Sequence, residues 1–165
     1  MSATQTPARK EAHNNMDNFL TGYEIDFLIR LGLSLFGGIV IGVERESKGK
    51  FTGISTQSLV IGGAMMFTFI SQIISPNSPA RVAAQVVSGI GFLGGGIILK
   101  GEGGALANVT SAATIWFAAS IGMAIGFGWY VIAVIAILYA AAIPRLPSIR
   151  ERRRDKERMN NNNSE

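Results

Sequence analysis

The chain has no cysteine and a single histidine, His13, in 165 residues. The first absence excludes disulfides and leaves the redox compartment unread. The second removes any histidine-based metal site or nucleophile–histidine pair, so no hydrolytic apparatus is visible. Charge is also scarce. Only 16% of residues are Asp, Glu, Lys or Arg, against about 25% in an average soluble domain. Between Leu59 and Ile143 the only charges are Arg81, Lys100 and Glu102. No apolar core precedes Tyr23, so a cleavable signal peptide is not expected, and the first apolar segment would act as the insertion signal.

What remains is a succession of apolar runs, each close to the roughly 17–25 residues that cross a bilayer. Breaks fall at a charged loop, 44–53, at Ser75-Pro-Asn-Ser-Pro79, and at a Gly-rich loop, 100–110. The run 111–143 would make a helix of about 50 Å, too long for a core of about 30 Å. A break at Gly126-Phe-Gly128 divides it, with Trp129 and Tyr130 as an interfacial anchor. The expectation is an all-α integral membrane protein. About five transmembrane helices, near 25–43, 58–74, 81–99, 111–126 and 129–143, would pack through Gly-rich faces. A disordered tail, 1–22, would precede the membrane domain, 23–147, and a basic, Asn-rich cytoplasmic tail, 148–165, would follow it.

Lys and Arg concentrate in the first loop, the third loop and the C-terminal tail. With five spans these share one side, which places the C-terminus in the cytoplasm and the N-terminus outside. The partners so implied are the lipid bilayer and other helices, not nucleic acid.

Small residues recur four apart: Gly38 and Gly42, Ala84 and Ser88, Gly91 and Gly95, Gly122 and Gly126. Missing side chains let backbones approach, either within one bundle or across a homo-oligomer seam. Gly89-Ile-Gly91-Phe-Leu-Gly94 fits a dinucleotide-binding spacing, but it lies inside an apolar run with no preceding strand, and position 114 is Thr, so that reading is rejected.

The polar candidates fall into two groups. Asp26 and Arg30 lie one helical turn apart inside the first span, and Arg81 and Gln85 open the third from the same side. An ionisable residue within a span is a functional candidate by default, and the alternative is an interfacial pair that snorkels outward. At the inner rim stand Glu44, Arg45 and Glu46, with Thr52, Ser55, Thr56, Asn108 and Thr110. Glu44 is a candidate ligand for hydrated Mg²⁺, which takes one or two carboxylates and keeps several waters. The alternative is a helix-end charge cluster paired with Arg45 and Lys48.

Three segments, in order, resemble a known family. Gly38-Ile-Val-Ile-Gly42-Val-Glu44-Arg45-Glu46 with Gly53-Ile-Ser-Thr-Gln-Ser-Leu-Val60 is similar to the first motif of the MgtC/SapB membrane proteins. Arg81-Val-Ala-Ala-Gln85-Val-Val-Ser-Gly89-Ile-Gly91-Phe-Leu-Gly94-Gly-Gly96 is similar to the second. Thr110-Ser-Ala-Ala-Thr114-Ile-Trp116-Phe-Ala-Ala-Ser-Ile-Gly122 is similar to the third. The resemblance covers roughly residues 25–143. It implies a bacterial inner-membrane protein of about five spans, linked to growth under magnesium limitation and, in pathogens, to survival inside host cells. Restraint of the proton-driven ATP synthase is implied as one mode of action. The motifs map onto Arg30, Glu44, Arg45, Arg81, Gln85, Gly91, Asn108, Thr110 and Thr114. Larger members carry a C-terminal soluble domain of ACT type. Here a short basic stretch follows Pro147, as in the short SapB-type members.

Overall fold

The computed structural model describes residues 22–78, 80–100 and 106–145. The expected tails, 1–22 and 148–165, lie almost wholly outside the described residues, as does 101–105 of the third loop. Five α-helices make up the bundle: α1 (Glu24–Ser47), α2 (Ile54–Ile74), α3 (Ala80–Ile97), α4 (Val109–Gly126) and α5 (Tyr130–Ala142). A short 3₁₀ turn, Ile143–Arg145, ends the described chain. Between α3 and α4 a two-residue antiparallel pair sets β1 (Leu99–Lys100) against β2 (Leu106–Ala107), with Leu99 opposite Ala107. The first four helices are each long and apolar enough to cross a membrane.

The helix boundaries follow from local chemistry. α1 runs on through Glu44, Arg45 and Glu46, which the sequence reading assigned to a loop. Those charges find partners in the fold, so the helix need not end where the apolar run ends. α2 starts at Ile54, four residues before the expected Ser58, because Glu46 Oε1 accepts the Ile54 amide at 2.9 Å and caps its first turn. The expected break between α4 and α5 is present. Gly128 takes φ +79° there, a left-handed conformation that a Cβ would strain.

α5 has 13 residues, about 20 Å of helix, yet it lies beside nearly the whole of α1. Tyr130 Oη donates to Asp26 Oδ1 at 3.3 Å near one end. Ile137 packs on Gly37 in the middle. Lys48 Nζ donates to the Pro144 carbonyl at the other end. Two long side chains thus make up the length that the helix lacks.

Directions alternate through the bundle. In α1 and α2, Gly38 meets Ser58 and Gly42 meets Ile54, so the two are antiparallel. In α2 and α4, Gly122 meets Ile61 and Gly126 meets Met65 and Thr68, so they run parallel. α3 packs chiefly on α4 and more lightly on α2. The core between these contacts is apolar: Ile41, Ile61, Met65, Ala118, Ile121, Ile125, Ala133 and Ile137 are all buried. A smaller cluster of Ala64, Ile90, Ile115 and Ala119 holds α3.

Four of the glycines expected to pack do so inside the chain. A Cβ at Gly38 would lie 2.4 Å from Ser58 Cα, and one at Gly42 2.3 Å from Ile54 Cα. At Gly122 it would lie 2.2 Å from the Ile61 carbonyl oxygen, and at Gly126 2.7 Å from that of Met65. Backbones that approach this closely raise dispersion contact and admit Cα–H···O contacts. The α3 glycines differ. A Cβ at Gly91 or Gly95 would meet nothing within 4 Å, and Ser88 is exposed beside them. The bundle-packing expectation is therefore corrected for Gly91, Gly95 and Ser88. α3 is amphipathic the other way round, turning Ile90 and Gly94 inward and leaving its small-residue stripe outside.

Candidate functional site: two polar layers and an open helix face

Polar groups gather at the two ends of the bundle, above and below the apolar core. At the end formed by the start of α1, the Arg30 guanidinium makes a fork with Asp26: Nε to Oδ1 at 3.0 Å and Nη2 to Oδ2 at 2.8 Å. The i,i+4 spacing on one helix face allows this. Arg30 Nη1 then donates to the carbonyls of Ile125, at 3.1 Å, and Gly126, at 2.5 Å. These are the last carbonyls of α4, where intrahelical partners run out and the helix dipole is negative. The guanidinium carbon also sits 4.9 Å from the Phe69 ring centroid and 5.7 Å from that of Tyr130. Arg30 therefore ties α1, α2, α4 and α5 together and does not snorkel outward. No hydrogen bond or ion pair among the described residues joins Arg81 or Gln85 to this group. Both lie exposed on α3, so the expected four-residue cluster is not assembled.

The opposite end holds a more deeply buried set. Arg45 is only 1% exposed, and its Nη2 donates to Ser111 Oγ on α4 at 2.5 Å. Glu44 is buried beside it and pairs with Lys48, Nζ to Oε1 at 2.7 Å. Gln57 points back along α2 and donates to Thr52 Oγ1 at 3.3 Å, and both residues are fully buried. Among the described residues, Arg45 Nε and Gln57 Oε1 have no hydrogen-bond partner, nor do Ser58 Oγ and Ser71 Oγ farther along α2, and Glu44 Oε1 has only its ion pair with Lys48. Ile41, Ile61 and Ile115, each buried, roof this layer from the membrane side. Asn108 and Thr110 lie at its edge, partly or fully exposed, and Ser55 is exposed. Thr114 satisfies its hydroxyl on its own helix, donating to the Thr110 carbonyl at 2.8 Å.

The sequence reading paired Glu44 with Arg45 and Lys48; of these the Lys48 pair forms, while Arg45 turns to Ser111, and Ser111, Gln57 and Tyr130 were missed as partners. Ser111 and Gln57 each sit at the polar start of an apolar run, which was the one signal available. For a cation, the layer is only partly prepared: Glu44 supplies a carboxylate that Lys48 already neutralises. Among the described residues no three acidic or histidine side chains cluster as metal ligands.

The third feature is the outer face of α3. An apolar groove of about 560 Å³ runs between α2 and α3, lined by Leu59, Gly63, Phe67, Gln85, Gly89 and Leu93 among others. Beside it Phe92 stands 83% exposed. Gln85 is the one polar side chain in this lining.

Long apolar helices that alternate in direction, an apolar middle and charged layers at both ends define a multi-span helical membrane protein. The comparisons with known proteins make the assignment specific. The sequence model of the MgtC family matches residues 31–151, and the chain belongs to that family. It is 41% identical over 104 residues to Protein MgtC of Salmonella typhimurium strain LT2, covering 63% of this chain and 45% of that protein. It is 43% identical over 116 residues to Protein MgtC of Brucella abortus strain 2308, covering 70% of this chain and 48% of that protein. The chain thus spans about half the length of the curated relatives it matches. No solved structure matches it.

Proposed function

We propose that this chain is a non-enzymatic regulator of the bacterial inner membrane, tied to adaptation to low magnesium. It acts through intramembrane contacts made by the open face of α3. Its N-terminus is outside and its C-terminus cytoplasmic. The supporting observation is the contrast between spent and unspent glycines. Gly38, Gly42, Gly122 and Gly126 are consumed in closing the bundle, whereas Gly91 and Gly95 meet nothing in the chain. The fourth span, which carries the same glycine spacing, supplies no such face, because Gly122 and Gly126 are covered. The occupant of the α3 face is a second copy or a membrane partner such as the ATP synthase.

The polar layers favour this reading over a conduction path within one chain. Asp26 and Arg30 are engaged in fastening helices, and the core between the layers is apolar. The test is growth in limiting magnesium of a strain that lacks its own family member, complemented with variants. Gly91→Leu should abolish complementation at unchanged protein level. Retained complementation by Gly91→Leu would sink the contact face.

A second reading, a homo-oligomeric ion transporter, draws on Gln85 in the apolar groove and on exposed Arg81. It requires Mg²⁺ flux into sealed proteoliposomes that Glu44→Gln or Arg30→Ala abolishes. Folded protein without flux would eliminate it.

A further inference from the structure

We propose that the groove between α2 and α3 seats one acyl chain of a glycerophospholipid, with Arg81 and Gln85 holding its headgroup end. The site does not rest on the regulator reading. It is also distinct from the α3 face that carries Gly91, which lies two residues on from Gly89 and about 200° round the helix. The groove exists because α3 packs chiefly on α4 and only lightly on α2. Gly63 on α2 and Gly89 on α3 both line it, and a Cβ at either would meet nothing within 4 Å. Side chains at these positions would narrow the groove, and both walls omit them.

Its dimensions select the occupant. The lining begins at Val82, in the first turn of α3, and reaches Leu93. That is about 16 Å of helix, the depth of one leaflet in a hydrocarbon core about 30 Å thick. A volume of about 560 Å³ over that length gives a cross-section of about 35 Å², under half that of a helix about 10 Å across. A hydrocarbon chain enters whole, whereas a partner helix rests only across the mouth. The mouth opens to lipid, since Leu59, Phe67 and Leu93 are exposed.

Charge and polarity are placed at one end. Gln85 is the one polar side chain of the lining, and Arg81 is the one charge on either helix. Both are exposed. An amide turned toward hydrocarbon is costly until it gains a hydrogen-bond partner. Arg81 precedes Gln85 by one turn, about 6 Å nearer the start of α3. In a glycerophospholipid the phosphate lies outside the ester carbonyls, and these lie outside the chains. Cation, amide and apolar slot follow in that same order along α3. The Arg81 guanidinium donates to the phosphate, the Gln85 amide donates to an ester carbonyl, and the chain runs past Gly89 to Leu93.

The experiment uses the full chain, purified in detergent and stripped of lipid. Phosphatidylglycerol, or a diacylglycerol with the same chains, is added back. Native mass spectrometry counts bound lipid, and thermal unfolding without lipid checks each variant's fold. Gly89→Leu fills the slot from a position with free space around it. Arg81→Gln is a surface change that spares the fold. The wild type should bind one phosphatidylglycerol saturably. Gly89→Leu should lose it, Arg81→Gln should weaken it about tenfold, and Gly91→Leu should keep it. Diacylglycerol, lacking the phosphate, should bind the wild type no better than phosphatidylglycerol binds Arg81→Gln. No saturable lipid, or binding that Gly89→Leu and Arg81→Gln leave unchanged, overturns the site. A photo-cross-linker at Leu93 that captures protein in place of lipid in intact cells makes the groove a partner's seat and overturns it too.

Discussion

Replacing Gly122 and Gly91 by alanine, one at a time, separates the two kinds of glycine this fold contains. At Gly122 the added Cβ would lie 2.2 Å from the Ile61 carbonyl oxygen and 2.8 Å from Ala64 Cβ. Ordinary contact needs about 3.5 Å, so α2 and α4 must part by roughly 1 Å. The obstructing atom is backbone and cannot swing aside. Overpacking of this kind costs about 1–3 kcal/mol. Alanine's better helix propensity offsets at most about 1 kcal/mol of that. The net expectation is a loss of about 1–2 kcal/mol, with the contacts of Gly126 on Thr68 loosened too. At Gly91 nothing lies within 4 Å, so only the propensity term acts, a gain of zero to about 1 kcal/mol. The two variants should therefore differ by about 2 kcal/mol, roughly thirtyfold in the folded-to-unfolded ratio. Reversible unfolding of the full chain in mixed micelles, titrated with a denaturing detergent, reads this difference. Equal midpoints, or a Gly122→Ala variant as stable as the wild type, would refute the assignment of α4 glycines to the interior.

Substitutions at Arg30, Lys48 and Glu44 probe the polar layers. Arg30→Met should destabilise by about 2 kcal/mol, since the Gly126 carbonyl loses its side-chain donor and Asp26 its fork, a loss held down because Ile125 keeps the Gly128 amide and the part-exposed Asp26 keeps Tyr130; the same unfolding titration measures it, and Arg30→Lys should recover only part, lacking the planar fork. Lys48→Met should cost about 1–2 kcal/mol by stranding the buried Glu44 carboxylate, a loss kept modest because Lys48 is itself partly exposed. Adding Glu44→Gln to Lys48→Met should restore most of it in a double-mutant cycle.

Helix number, order and the α4–α5 break were legible because hydropathy and glycine punctuation are local properties of the chain. The charged ends were less so. Glu44, Arg45 and Glu46 read as loop because charge ordinarily marks the end of a span. In the fold each has a partner: Lys48, one turn on along the same helix, for Glu44, and, from other segments, Ser111 for Arg45 and the Ile54 amide for Glu46. Such pairing depends on which helix ends meet, and spacing along one helix does not encode that. The glycine stripes show the same limit. Gly91 and Gly95 repeat like Gly122 and Gly126, yet one pair faces outward and the other is covered. The difference lies in the apolar residues alongside, with Ile90 and Gly94 setting the inward face of α3. Arg30 and Asp26 were read as adjacent, correctly in register, but the acceptors at Ile125 and Gly126 lie 95 and 96 residues away.

The central claim is that the outer face of α3 meets a protein in the membrane. The direct measurement is site-specific photo-cross-linking in intact cells from Phe92, on that face, with Leu138, an exposed apolar residue on α5, as the control. A discrete protein adduct from Phe92 that Gly91→Leu removes, with none from Leu138, is what the account predicts. Lipid adducts alone from both positions would contradict it.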